Sequence, residues 1–146
     1  MFATAGCLVV ACGSGMRQET VTDVRPMAPL AYGDCVEARR RAGVDPDLAV
    51  DRLPTPVRQS PAPLRGLPAT VKNHVDRQGA VVKVNVLVDT LGRPVMRTFT
   101  VDTTSHPWLS DNVKSVIPRW RFSPAMLAGC KVARVYKFSA TRKRRG

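Results

Sequence analysis

The stretch that most limits the fold is AVVKVNVLVDTLGR, residues 80 to 93. Val82, Val84, Val86 and Val88 fall on one side of an extended chain, and Lys83, Asn85 and Asp89 on the other, with Leu87 the exception. A period of two built on β-branched residues predicts a strand buried on one face only. Asp89 suits the start of a turn and Gly92 a position of positive φ, so the chain is expected to reverse as a hairpin. The return strand, 94 to 101, places Val95, Phe99 and Val101 on one face, and Arg97 is the misfit on that face. A sheet with one apolar face needs a second layer to cover it.

Helical periodicity on either side of the hairpin supplies that layer. Before it, Pro68 can take the first helical position, Val71 and Val75 share a face at i, i+4, and Gly79 ends the run. After it, Pro107 opens a second helix. Leu109, Val113, Val116 and Ile117 form its apolar stripe, Asp111 lies in its first turn, and Pro118 stops it. Ser110 and Asp111 fit this helix start better than they fit catalysis. In PRWRFSPA, Trp120 and Phe122 alternate inward while Arg119 and Arg121 face solvent. Gly129 marks a turn, and Lys131 to Ser139 reads as the last strand. The expected class is α+β: a three-stranded antiparallel sheet with two short helices packed on one face.

Upstream of this unit the chain is organised by its breakers. Asp34 is a candidate N-cap and Gly43 a stop for a short helix from Cys35 to Ala42, whose Arg39 to Arg41 run reads as a solvated face. From Leu53 to Pro68 there are five prolines, which predicts an extended linker covering roughly 50 Å at about 3.1 Å per residue. The expected divisions are a signal-like segment (1–11), a flexible tether (12–33), a short helical segment (34–52), a Pro-rich linker (53–66), the α+β domain (67–139) and a basic tail (140–146).

Charge and cysteine usage bound the partners. Lys and Arg number 23 against 11 Asp and Glu, and beyond Thr70 the only acids are Asp76, Asp89, Asp102 and Asp111. The C-terminal half therefore carries most of the +12 charge and favours an anionic partner without choosing one. The apolar run from Phe2 to Ala11 is too short for a membrane-spanning helix, which needs about 20 residues, but suits a secretory signal. Its end, Val9-Val10-Ala11-Cys12-Gly13, resembles the lipobox of bacterial lipoproteins, which makes Cys12 the candidate lipid anchor. No Lys or Arg precedes the run, a departure from such signals, so a soluble secreted chain stays open as the other reading. Cys35 and Cys130 remain downstream. They read as a disulfide in an exported chain or as two free thiols; without Cys-x-x-Cys or paired histidine spacing no metal site is expected. His74 and His106 stand alone in the sequence.

These elements together resemble the C-terminal domain of TonB, the energy transducer of Gram-negative outer-membrane transport. The resemblance covers about residues 67 to 139 and rests on the helix opened by Pro68, GAVVKVNVLVDTLGRPV, the polar DTTSHPWL, the second helix, RWRFSPAMLAGCKV and a last strand ending YKF. It implies a periplasmic protein-binding module that takes an extended peptide, the TonB box of an outer-membrane transporter, by strand addition at its last strand. By position that strand comprises Lys131, Val132, Ala133, Arg134, Val135, Tyr136, Lys137 and Phe138. Val132, Arg134, Tyr136 and Phe138 are expected on one face, and the charges at Lys131, Arg134 and Lys137 also suit an edge guarded against aggregation. Strand exchange into a homodimer is a further state that the resemblance allows.

The chain departs from the family in showing no membrane-spanning helix and only a short Pro-rich stretch, and Leu67-Pro68 stands where the family has Tyr-Pro. Force transmission from the inner membrane is therefore not expected. The alternative function is a structural envelope adaptor that holds peptidoglycan or another envelope protein on its basic surface. An enzyme is not expected: no glutamate follows Glu37, and no phosphate-cradling glycine loop or nucleophile–base order is present, so no cofactor is called for. Nucleic acid is not expected either, because the basic tail ATRKRRG lacks interleaved aromatics.

Overall fold

Three helices and several antiparallel sheets make up the chain in a computed structural model that describes residues 28–60 and 65–144. In chain order the elements are α1 (Cys35–Val44), β1 (Thr55–Arg58), α2 (Ala69–Gln78), β2 (Ala80–Val88), β3 (Pro94–Thr104), α3 (Pro107–Val116), a 3-10 turn (Ile117–Arg119), β4 (Arg121–Ser123), β5 (Ala125–Leu127), β6 (Cys130–Val132) and β7 (Arg134–Arg142). The valine ladder, β2, is the middle strand of the sheet β3-β2-β7. Val82, Val84, Val86 and Val88 are all fully buried. Over them pack Val71 and Val75 of α2 together with Leu109, Val113 and Val116 of α3, so both helices lie on the same face of the sheet.

Trp120 and Phe122 complete this core, with Trp120 fully buried and its ring 5.8 Å, edge-on, from Phe138. Arg119 and Arg121 between and beside them are exposed. Gly92 explains why this piece sits under the hairpin. Its φ is +75°, and a Cβ there would overlap the Phe122 carbonyl oxygen. Phe122 in turn donates its N–H to the Gly92 carbonyl at 3.0 Å. Only a residue without a side chain lets the turn and the tryptophan strand approach so closely.

The return strand differs from its expected face assignment because its register breaks twice. Val86 of β2 alone faces four residues of β3, Met96 to Phe99, between the pairs Asn85–Thr100 and Leu87–Val95, and a second shift lies between Lys83 and Val84. Thr98 fills the first break: its hydroxyl accepts from Leu87 N–H (2.9 Å) and donates to the Val95 carbonyl (2.7 Å). Met96 and Phe99 consequently reach the core, Arg97 turns to solvent, and Val101 is 45% exposed instead of sharing the buried face. Extra residues on one strand re-aim side chains in this way.

A second, smaller core holds the upstream segment. β5 and β6 form a hairpin turned by Ala128 and Gly129, both at positive φ, and α1 lies against it through Ala38 and Ala42, which meet Ala125, Leu127 and Val132. Cys35 and Cys130 are joined by a disulfide, with Cα atoms 5.2 Å apart. Asp34 caps α1 by accepting from Glu37 N–H at 3.1 Å; the helix continues through Gly43 to Val44, past the expected stop. The arginine run is not a solvated face throughout. Arg40 and Arg41 both bond to Glu37 (2.6 and 2.7 Å) and hold its carboxyl down at about 2, and Arg41 also donates to the Ala28 carbonyl.

The Pro-rich stretch is not a free spacer either. Thr55–Arg58 pairs antiparallel with β4, the tryptophan strand, and Pro54 is buried. A two-stranded ladder is all edge, which is where a strand tolerates proline. Arg52 also bridges to Met126, with Met126 N–H donating to its carbonyl at 2.9 Å. Two helix-start details shift as well: Pro68 is the N-cap of α2, not its first residue, and no acid lies in the first turn of α3, where His106 Nδ1 accepts from Trp108 N–H at 3.1 Å.

Candidate peptide-binding edge

β7 pairs with β2 without interruption from Arg134–Val88 to Arg142–Ala80, and among the described residues no strand lies beyond it in the sheet. Which of its backbone groups remain open follows from parity. On β2, Leu87 N–H is taken by Thr98, and the Val81 carbonyl accepts from Ser105 N–H at 2.9 Å; both partners lie on the β3 side. Odd-numbered residues of β2 therefore aim their main chain at β3, and even-numbered ones at β7. The partners of those even residues, Arg134, Tyr136, Phe138, Ala140 and Arg142, spend their N–H and C=O on β2. The main-chain groups of Val135, Lys137, Ser139 and Thr141 point the other way, to the outer edge.

Their side chains share the face turned away from α2 and α3. Val135 is half-buried and Lys137, Ser139 and Thr141 are exposed. The opposite row anchors the strand: Phe138 meets Trp120, Tyr136 lies 4.9 Å from Phe122, and Ala140 packs on the same core. Burial pushes the Tyr136 phenol up, partly offset by its hydrogen bond to Gln59. An edge held this way is a rigid template.

The expected edge, Lys131 to Phe138, is divided by the structure. Lys131 and Val132 belong to β6, paired with β5, so they present no edge to the main sheet. Ala133 is the break. Arg134 is neither an edge guard nor a solvent charge: it is 5% exposed, and its guanidinium donates to the carbonyls of Ala42 (3.1 Å), Asp45 (2.7 Å) and Leu48 (2.5 Å). Those are acceptors at and beyond the end of α1, where helical carbonyls have no internal partner. Val135, Tyr136, Lys137 and Phe138 do lie on the edge strand. The strand runs on to Arg142, taking in the first residues of the expected basic tail, and Arg142 contacts Asp76 at 3.3 Å. Ser139 falls within the expected last strand, and Thr141 was legible in principle, since the alternation of YKFSAT continues through it.

No family model and no curated protein matches the chain. Among the described residues no helix is long and apolar enough to cross a membrane, and no three His, Cys, Asp or Glu side chains converge on a metal-binding position. His74 and His106, far apart in sequence, meet with ring centroids 5.3 Å apart, joining the middle of α2 to the N-cap of α3. Cys12 lies outside the described residues.

Proposed function

We propose that this domain is a TonB C-terminal-like module that captures an extended peptide by adding it as a fourth strand outside β7. The observation that carries the reading is the parity of β7. Four residues at alternate positions direct unspent N–H and C=O groups outward from a strand whose other side is fully paired. An open edge of this kind supplies main-chain affinity, with alternate side chains supplying selectivity. The partner class is a segment such as the TonB box of an outer-membrane transporter. The Cys35–Cys130 disulfide supports an oxidising compartment, hence the periplasm. The exposed Lys131, Lys137, Lys143 and Arg144 favour the second reading, an adaptor for peptidoglycan or another anionic envelope component.

Proline substitution separates the two. Val135→Pro removes an N–H that points outward, so the domain keeps its circular dichroism while affinity for TonB-box peptides falls about tenfold or more, through a lost hydrogen bond and a blocked approach. Tyr136→Pro removes a ladder bond to Val86 and so destabilises the fold itself. Amide shifts on peptide titration should cluster at 135 to 141. A silent edge, with shifts at the basic residues on adding peptidoglycan fragments, would transfer the function to the second reading. Anchoring through Cys12 belongs to the same proposal: a fatty-acid analogue labels the protein in cells and Cys12→Ala abolishes the label.

A further inference from the structure

At the end of β7 where Arg134 turns under α1, the outer face of the sheet opens into a groove of about 330 Å³. Its floor is the cross-strand pair Leu87 and Val135, and its far wall is Ala42, Gly43 and Pro46 at the end of α1. The walls are mostly apolar, Arg39 stands among the lining residues, and no carboxylate does. The groove thus begins beside the first outward-facing residue of the edge.

We infer that this groove is the specificity pocket of the edge, taking one apolar side chain of an extended peptide that carries an acidic residue two positions away. The inference rests on the strand-addition reading. A strand lying along β7 places the side chain opposite Val135 in the same row as Val135 and Leu87, which is the row that opens into the groove. Two positions along the same row it meets Lys137, which is exposed. A carboxylate there pairs across the strands, and an ammonium is repelled. The spacing of two is the same whether the peptide runs parallel or antiparallel; only the order of the two residues reverses. Neither the hairpin nor the open edge alone produces this preference, because the second wall comes from α1.

The test uses fluorescein-labelled, threonine-rich short peptides carrying Leu-Thr-Asp or Asp-Thr-Leu at their centre, with matched versions in which Leu is Ala or Asp is Lys, and fluorescence anisotropy with the full chain. One order of the Leu/Asp pair binds about tenfold tighter than its Ala version, from burial of a leucine side chain in a partly enclosed site. The Asp version outbinds the Lys version a few-fold, less so at high salt. Gly43→Leu, at a helical position where a Cβ meets nothing within 4 Å, fills the groove and brings the Leu-to-Ala ratio towards one. Lys137→Glu reverses the Asp-to-Lys preference. Equal affinity for the Leu and Ala peptides, with binding still lost in Val135→Pro, overturns the pocket and leaves strand addition standing. If no peptide binds, or Val135→Pro binds as well as the native chain, strand addition itself falls and the pocket with it.

Discussion

Replacing Cys35 and Cys130 together by alanine is expected to lower the stability of the domain by about 4 kcal/mol. The bridge closes a chain separation of 95 residues, and constraining a loop of that length in the unfolded state contributes roughly 4–5 kcal/mol in the chain-entropy picture. The loss is also local. α1 has ten residues, too few to hold a helix alone in water, and its buried side chains are the two small ones Ala38 and Ala42. With so little apolar area, the start of the helix depends on the covalent link, while Arg134 holds its other end. Urea denaturation gives the size of the effect, and hydrogen exchange locates it: amides 35 to 44 lose protection first, while those of β2 and β7 change only with global stability. Equal urea midpoints with and without a reducing agent would sink this account of α1. Because α1 forms one wall of the groove beside Val135, the reduced protein should also lose its preference for an apolar side chain while still pairing with the peptide backbone.

Arg134→Met is the second large effect, about 3–5 kcal/mol of destabilisation. Methionine matches the aliphatic stem but cannot donate, so the carbonyls of Ala42, Asp45 and Leu48 lose their shared partner in a site where Arg134 is 5% exposed. A buried acceptor left unpaired costs about 1–3 kcal/mol, and three share this donor group. Arg134→Lys should recover only part of the loss, since an ammonium on a flexible stem cannot reproduce a planar fork that reaches three carbonyls. The measurement is the urea midpoint of each variant, with helical circular dichroism reporting on α1. Destabilisation below about 1 kcal/mol in Arg134→Met would mean that water replaces the guanidinium without penalty, against the buried geometry.

How much of this was legible differs by element. The valine ladder, the reversal at Gly92, the stripe of α3 and the inward aromatics Trp120 and Phe122 are written in periods and turn residues that act over a few positions, and they stand where the pattern puts them. The face of β3 escapes a local reading because its register depends on β2: the four residues set against Val86 are invisible to a count of alternate positions along β3 itself. β1 reads as a spacer in the sequence because a run of prolines has no period, and its partner β4 lies more than sixty positions away. Arg134 reads as a charge guarding the edge for a related reason. Its alternation with Tyr136 and Phe138 puts it on the inner face, but only the presence of the α1 carbonyls makes a buried guanidinium stable there.

The open edge shows the division most clearly. That the stretch around YKFS forms a strand with its aromatic residues on one face follows from local chemistry, because side-chain alternation is a property of one extended chain, whereas its limits at Arg134 and Arg142 do not. Which of its backbone groups are free does not. N–H and C=O directions alternate with the same period of two, so the outward set is fixed only once β2 has taken the residues at 134, 136, 138, 140 and 142. The sequence alone determined the valine ladder, the apolar stripe of α3 and the alternation along the last strand; the tertiary structure decided the pairing, and with it the face of β3, which four residues of β7 face outward and which helix walls the groove beside them.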